Sequence, residues 1–339
     1  MSVICPRCES SNPGSLRYCD YCGYELISEV PAPTIQEPAT PQYQDDRVIS
    51  KKDLSKAEPI IEHGPFREAE RWAELGTFLN EHLPGFTVED VQDIGETKRR
   101  VTDVTELDLS DCELKDLPEC LELLTQLESI DVSGNKFKTV PVVLRTLTTL
   151  KEIELCDNKL KTLPEWLLDL DQVIDLDVSD NKFKEFPPVI CAMTQLKVLD
   201  ISTNELTVLP YNIGQLIHLQ DLDVSSNGLT MLTISFPKLT ALHELDLSGN
   251  KLSFLPTGFE KMTEIVSLDL GSNNLVSLPE EMGEWSQLTS FSIFLNPISS
   301  DSIPPNLQKL NEANKGCWTC LVWFILLPPF LMFLVEIFE

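Results

Sequence analysis

An apolar pattern with a fixed period of 23 residues runs from Val104 to Ile298 and constrains the fold more than any other feature of the sequence. Written as L-x-x-L-x-L-x-x-N-x-L, it places its second apolar position at Leu107 in the first unit and at Phe291 in the ninth, without an insertion between them. An Asn follows five residues later in every unit except the first, which has Cys112. Self-similarity of this kind predicts a solenoid in which each unit stacks on its neighbours.

Each unit contains two local patterns. The run from Leu107 to Leu109 alternates apolar and polar residues, as a half-buried strand does, and one such strand per unit predicts a parallel sheet. The second half reads L-P-x-x-h-x-x-L-x-x-L, for example from Leu209 to Leu219, and this favours a short helix or 3₁₀ turn that begins at Pro. The Asn is expected to enter the interior and bond backbone groups of adjacent loops. The predicted fold class is α/β, with the sheet on the concave face and short turns on the convex face.

The convex half of the unit and its 23-residue spacing resemble the leucine-rich repeats of the intracellular Ras-group proteins of animals and plants. The resemblance covers well over half of the chain. It implies a leucine-rich repeat scaffold that binds other proteins, and not an enzyme, with small-GTPase-type signalling as one setting. Because many such proteins share the consensus, the resemblance does not identify the partner.

Composition divides the rest of the chain around the repeats. The predicted units are a zinc ribbon at 1–27, a disordered Pro-rich linker at 28–63, an N-terminal helical cap at 64–103, nine repeats at 104–298, a C-terminal cap at 299–315 and an apolar membrane segment at 316–335. Within the N-terminal cap, helical spacing of apolar residues predicts a helix from Phe66 to Leu83. A helix that binds a partner is the alternative interpretation of that segment.

Four cysteines near the N-terminus have the spacing of zinc ligands. They form two Cys-x-x-Cys pairs with ten residues between them: Cys5, Cys8, Cys19 and Cys22. Two such pairs can place four thiolates tetrahedrally about one structural Zn²⁺, and a fragment this short has little core with which to fold otherwise. The motifs C-P-R-C and C-D-Y-C-G also resemble short zinc-ribbon modules. A redox Cys-x-x-Cys is the alternative.

The segment at 316–335 is apolar enough to enter a membrane. Its 20 residues contain no charge, and at about 1.5 Å per residue they match a hydrocarbon core of about 30 Å. Lysines precede it and glutamates follow it, which favours repeats and zinc ribbon on the cytosolic side. Pro328-Pro329 makes a re-entrant hairpin the alternative to a spanning tail anchor. Cys317 and Cys320 at the border are candidates for lipidation.

An acidic ladder follows the predicted concave face. The central outward position of the strand is acidic in the first eight units: Asp108, Asp131, Glu154, Asp177, Asp200, Asp223, Asp246 and Asp269. Successive strand side chains point to opposite faces, so these carboxylates point away from the core. Stacked about 5 Å apart and unpaired, they predict a negative trough that steers a basic protein partner. The alternative is a family consensus that only solvates the sheet.

Other positions break the pattern. Lysines on the far side of the Asn form a basic edge in the first four units, which either solvates the loops or binds an acidic partner: Lys115, Lys136, Lys138, Lys159, Lys161, Lys182 and Lys184. In the sixth unit Thr233 replaces Pro, so its turn is expected to differ. In the ninth, Phe294 and Leu295 replace polar residues. Either the C-terminal cap covers them, the interpretation we favour, or they form an apolar contact with a partner.

Composition and motifs argue against other functions. A net charge of −28 disfavours a nucleic-acid partner. The four His lie without metal or triad spacing and no Gly-rich phosphate loop occurs, so neither catalysis nor a small-molecule substrate is expected. The sequence thus predicts a membrane-tethered, cytosol-facing scaffold that binds a protein on its concave face. The alternative is an adaptor in which the zinc ribbon binds the partner and the repeats act as a spacer.

Overall fold

The computed structural model describes residues 2–4, 11–13, 65–82 and 103–311. The predicted zinc ligands, the linker at 28–63 and the membrane segment at 316–335 with its two cysteines all lie outside these residues. Near the N-terminus, strands β1 (Ser2–Ile4) and β2 (Ser11–Pro13) pair antiparallel, with Ile4 opposite Ser11. The helix α1 spans Pro65–His82.

A nine-stranded parallel sheet, with one strand per repeat, forms one face of the array. In order, its strands are β3 (Glu106–Asp108), β4 (Ser129–Asp131), β5 (Glu152–Glu154), β6 (Asp175–Asp177), β7 (Val198–Asp200), β8 (Asp221–Asp223), β9 (Glu244–Asp246), β10 (Ser267–Asp269) and β11 (Ser290–Ser292). Each strand pairs with its neighbour at a shift of one repeat, as Leu222 does with Leu245. The parallel sheet predicted from the 23-residue period is confirmed.

Short 3₁₀-helices form the opposite layer. Five of them begin directly after a Pro and have five residues each: Glu119–Leu123, Val142–Thr146, Glu165–Asp169, Tyr211–Gln215 and Glu280–Glu284. Three have only three residues: Ile190–Ala192, Phe236–Lys238 and Phe259–Lys261. The different turn expected in the sixth repeat is therefore confirmed, and there the Ser235 hydroxyl donates to the Tyr211 carbonyl. Repeats four and seven also have the shorter turn, although both keep a Pro.

Buried asparagines tie consecutive repeats together. Asn181 donates from Nδ2 to the carbonyls of Leu155, Val178 and Ser179 at 2.9–3.1 Å. Its Oδ1 accepts the backbone N–H of Leu160 at 2.9 Å. The equivalent bonds recur from Asn135 to Asn296. The side chain thus satisfies backbone groups that lie between the sheet and the turns, as the sequence predicted.

Two caps cover the ends of the apolar core. At the first repeat, Leu75 and Leu79 of α1 join the core, and Arg71 forms an ion pair with Glu122. At the ninth repeat, a last 3₁₀-helix (Ser300–Ser302) leads to helical residues 305–311, from which Leu307 is buried in the same core. No helix among the described residues is long and apolar enough to cross a membrane.

Candidate functional site: the concave face

An acidic groove runs along the concave face of repeats five to nine. Its volume is about 510 Å³, and it extends over strands β7 to β11. Six acidic residues line it: Asp200, Asp221, Asp223, Glu244, Asp246 and Asp269. No lysine or arginine is among the described residues that line the groove. We call this surface the acidic groove.

The acidic groove brings together four residues of the predicted ladder. They are Asp200, Asp223, Asp246 and Asp269. The other four ladder residues lie on strands β3 to β6, on the same face but outside the groove. Asp221 and Glu244 also line the groove, because residues two apart on a strand share a face. The alternation that predicts the ladder also predicts these two residues on the concave face.

The ladder carboxylates form no ion pair with a described residue, but seven of the eight accept a backbone hydrogen bond that the sequence did not predict. The Oδ1 of Asp177 accepts the backbone N–H of Ser179 at 2.8 Å. The equivalent bond, to the residue two positions later, is made by Asp108, Asp131, Asp200, Asp223, Asp246 and Asp269. The chain turns after each strand, and a short Asp side chain can reach back to an N–H two residues on. Each Asp therefore has a local structural role as well as a charge.

Glu154 departs from this arrangement. Its side chain is one methylene longer than that of Asp, is largely exposed, and has a carboxylate that makes no hydrogen bond to another described residue. Burial raises its pKa, and so do the neighbouring charges of Asp131 and Asp177. At strand β5, in the third repeat, the ladder thus keeps its negative charge but lacks the hydrogen bond that fixes the carboxylate elsewhere.

Burial and like charges make the ionised form of the central carboxylates costly. Burial raises the pKa of Asp223 to about 6, against the turn hydrogen bonds to Ser225, and the charges of Asp200 and Asp246 raise it further. The pKa of Asp175 also rises to about 6, through burial and then the charge of Glu152. Burial likewise raises the pKa of Asp177 and Asp246. A cation placed in the groove would offset both the burial and the repulsion.

We expect this ionisation to reduce stability as the pH rises. A carboxyl whose pKa is higher in the folded than in the unfolded state holds a proton that the unfolded state has released. Its contribution is therefore present below its ordinary pKa of 3.8 and is lost as the pH rises to about 6. Asp223→Asn should remove the cost of holding this carboxyl ionised at pH 7 and, after solvent screening, raise the free energy of unfolding there by on the order of 1 kcal/mol.

Urea unfolding of both proteins between about pH 4.5 and 7.5 measures the effect. The two curves should converge toward the acid end of the range. The control is the same substitution at the exposed Asp108, whose pKa is lowered by its hydrogen bonds to Ser110, so that Asp108→Asn should not raise the free energy of unfolding at neutral pH. Parallel pH profiles for the wild type and Asp223→Asn would contradict the expectation.

An exposed apolar residue follows the last strand of the acidic groove. Leu295 is 79% exposed, so the expectation that the C-terminal cap covers it is wrong. Phe294 is half-buried. Leu295 has a φ of 56°, in the left-handed region where the equivalent positions carry Asp, Gly, Thr or Ser. A Leu in this conformation costs on the order of 1 kcal/mol, and its exposure recovers none of that through burial.

Other chemistry is not evident in this part of the chain. Within α1 and residues 103–311, no group of three or more His, Cys, Asp or Glu could hold a metal ion. The described cysteines are free: Cys112, Cys120, Cys156 and Cys191. Burial raises the pKa of Cys156, on the concave side, to about 11, which leaves it a poor nucleophile.

Comparison with known proteins supports a leucine-rich repeat fold. Residues 189–313 match a family model described as a leucine-rich repeat region. No curated protein matches the chain.

Parts of the chain are also similar to solved structures. A leucine-rich repeat protein of Leptospira interrogans is 31% identical, with a TM-score of 0.49 over 56% of this chain and 54% of its own. The leucine-rich repeat ectodomain of the plant membrane receptor kinase GASSHO1/SCHENGEN3 from Arabidopsis thaliana was solved in complex with CASPARIAN STRIP INTEGRITY FACTOR 2. It is 28% identical, with a TM-score of 0.54 over 64% of this chain and 26% of its own.

A third structure, an internalin of Listeria monocytogenes, shares the fold at 20% identity. Its TM-score is 0.51, over 68% of this chain and 70% of its own. By comparison, the chain spans about half the length of the Leptospira protein and about a quarter of the length of the plant ectodomain. The nine-stranded sheet, the family match and the plant and Listeria structures together support a leucine-rich repeat fold for the array.

Proposed function

We propose that this leucine-rich repeat protein is an interaction scaffold that binds a basic partner protein in its acidic groove. The observation that carries the proposal is the groove, in which six carboxylates converge and no basic residue is among the described lining residues. The similar plant ectodomain, which was solved with a bound factor, supports a protein-binding role for such an array.

Two features of the groove define the partner's chemistry. Asp200, Asp223 and Asp246 accept their turn hydrogen bonds through Oδ1, so the Oδ2 of each remains available to a Lys or Arg of the partner. At the ninth repeat, Leu295 is exposed three residues after the strand Ser290–Ser292, which ends the groove. The partner should therefore combine a basic segment with an apolar residue. Because the repeats resemble the Ras group, a small GTPase or its regulator is the first partner class to test.

Carbodiimide crosslinking tests the proposed face. This reagent joins a carboxylate directly to an amine, so it reports only lysines that touch an acidic side chain. Partners captured from a cell extract by the full-length protein should crosslink to Asp200, Asp223 or Asp246. Crosslinks confined to acidic residues of the convex layer, such as Glu165 and Glu280, would contradict the proposal.

We also propose that the four N-terminal cysteines hold one structural Zn²⁺. The donor set fits this metal, since four thiolates in two Cys-x-x-Cys pairs suit a closed tetrahedral site. The described strands support the proposal, because β1 and β2 pair antiparallel on either side of the first pair in the sequence.

Metal analysis of the reduced full-length protein should find one zinc per chain. Cys5→Ser with Cys8→Ser should abolish it, because two of the four ligands are lost. The control double variant, Cys112→Ser with Cys156→Ser, should retain the metal. A zinc content near zero in the wild type would contradict the site. If a protein without residues 1–27 no longer captures the partner, the ribbon is the binding end and the repeats are the spacer.

We propose further that residues 316–335 anchor the chain to a membrane with the repeats in the cytosol. The support is the uncharged length of the segment and the lysines that precede it. Full-length protein should resist carbonate extraction from membranes, and removal of residues 316–339 should release it. A glycosylation acceptor added after Glu339 should be modified in microsomes if the segment spans, and unmodified if it forms a hairpin. Extraction of the full-length protein by carbonate would contradict both forms.

A further inference from the structure

We infer that repeats two to four carry a second binding surface, a basic groove that holds an acidic segment of a partner protein through lysines and an apolar pocket. Its charged wall, the lysine edge, consists of six side chains in two rows: Lys136, Lys159 and Lys182, and Lys138, Lys161 and Lys184. This surface is separate from the acidic groove and does not depend on the function proposed for it.

The backbone holds the lysine edge at fixed spacing. The N–H of Lys159 donates to the Phe137 carbonyl at 2.8 Å, and the N–H of Lys182 donates to the Leu160 carbonyl at 2.8 Å. The intervening N–H groups bond the Oδ1 of the buried asparagines, as that of Leu160 does. Adjacent repeats are thus joined at this edge much as strands are, which sets rows about 5 Å apart. Binding would not require the backbone to become ordered.

Among the residues that the structure describes, acidic side chains form ion pairs only with the two end lysines of the lysine edge. Lys136 pairs with Glu113 at 3.1 Å, and Lys184 pairs with Glu205 at 3.7 Å. The four lysines between them make no ion pair with a described residue and are exposed: Lys138, Lys159, Lys161 and Lys182. In a chain with 54 acidic and 26 basic residues, this concentration of unpaired lysine is a local reversal of charge. Like charges held this close repel, and a bound anion would relieve the repulsion.

The apolar part of the basic groove is a depression of about 710 Å³ that lies beside the lysine edge, between repeats three and four. Leu163, Leu168, Phe186 and Val189 contribute to its lining, and Leu168 is 44% exposed. A mismatch between neighbouring turns accounts for the space. The 3₁₀-helix of repeat three begins directly after its Pro, whereas that of repeat four, Ile190–Ala192, begins three residues after Pro187.

The composition of the groove selects the occupant. Lys161, Lys182 and Lys184 line the groove, and so do Glu165 and Glu185. A continuous polyanion such as a nucleic acid or a lipid surface would meet these two glutamates. A peptide can instead place its acidic residues on the lysine edge and one apolar side chain against Leu168. Charge complementarity and the apolar lining therefore favour an acidic protein segment with a hydrophobic residue.

Selection from a displayed library of random peptides on the full-length protein tests the inference. The enriched peptides should share acidic residues around one apolar residue. Their affinity should fall at least tenfold for the Gln variant of the four unpaired lysines, and also for Leu168→Ser. The control variant Asp200→Asn, Asp223→Asn, Asp246→Asn should bind them as the wild type does. All these positions except the three Asp are exposed, and equal unfolding midpoints verify that the lysine and Leu168 variants fold.

Three results would overturn the inference. The first is enrichment of no acidic and apolar consensus, and the second is a consensus whose binding survives the lysine substitutions. The third concerns lipid vesicles and uses the chain without residues 316–339. If this chain binds phosphatidylcholine vesicles more strongly when they contain phosphatidylserine, and the lysine variant does not, the lysine edge binds a membrane. Failure of the acidic groove to bind a basic partner would leave this surface unaffected, so the two proposals fail separately.

Discussion

Replacing Asn273 with Ala should lower the free energy of unfolding by about 3 kcal/mol. Asn273 is buried, and it donates from Nδ2 to the carbonyls of Leu247, Leu270 and Gly271 at 2.8–3.1 Å. Its Oδ1 accepts the N–H of Leu252 at 2.9 Å. Substitution leaves the buried Leu252 N–H without its partner, which costs about 1–3 kcal/mol, and removes three further hydrogen bonds at about 0.5–1.5 kcal/mol each. The Leu247 carbonyl keeps the Nδ2 of Asn250 as a donor. The carbonyls of Leu270 and Gly271 keep other donors.

The neighbouring Asn274 provides a matched control. It is the same residue type one position later, but it is exposed and its side chain makes no hydrogen bond to a described residue. Asn274→Ala should change the free energy of unfolding by less than about 0.5 kcal/mol. Urea unfolding of the wild type and both variants measures the difference. Equal losses for Asn273→Ala and Asn274→Ala would show that the buried bonds do not hold the repeats together.

The fold could be predicted from the sequence because one period determines both which strand residues pair and where the buried Asn residues lie. A shift of 23 residues brings Leu222 beside Leu245, and the Asn column predicted where interior backbone groups find partners. The turns were less predictable. Repeats four and six both have the short 3₁₀-helix, yet only the sixth lacks Pro at the expected position. Turn length therefore depends on local backbone geometry that the periodicity does not encode.

The candidate site was predicted in position but not in its bonding. Strand alternation placed the ladder on the concave face, which is where Asp200 and Asp223 line the acidic groove. It did not show that Asp side chains reach back to the N–H two residues later, because that contact depends on the turn after the strand. Leu295 was misassigned for a related reason. It has a left-handed φ and is exposed, and no pattern of apolar residues reports the sign of φ.

Replacing Asp200, Asp223 and Asp246 together with Asn should slow association with the basic partner at least tenfold. Asn removes the three charges but keeps an Oδ1 acceptor for the N–H groups of Ser202, Ser225 and Ser248. Lys at these positions would reverse the charge and also remove the turn bonds, so a loss of binding would not distinguish charge from fold. Long-range attraction acts mainly on the encounter rate and is screened by salt. Dissociation should change less than association.

The control removes equal charge from the opposite layer. Glu119, Glu165 and Glu280 are the first residues of three convex 3₁₀-helices. Their Gln variants change the net charge by the same three units but leave the acidic groove intact. If total charge alone steered the partner, both triple variants would slow association equally. If the groove steers it, only the Asn variant will.

The central claim is tested most directly by stopped-flow measurements of association, at low and high salt. They compare the wild type and the two triple variants, each mixed with the partner that crosslinking identifies. For the wild type and the Gln variant, the association rate should be high at low salt and should fall steeply as salt is added. The Asn variant should associate slowly at both salt concentrations, with little dependence on salt. Association of the Asn variant at the wild-type rate, with the wild-type salt dependence, would contradict the claim that the acidic groove is the partner-binding face.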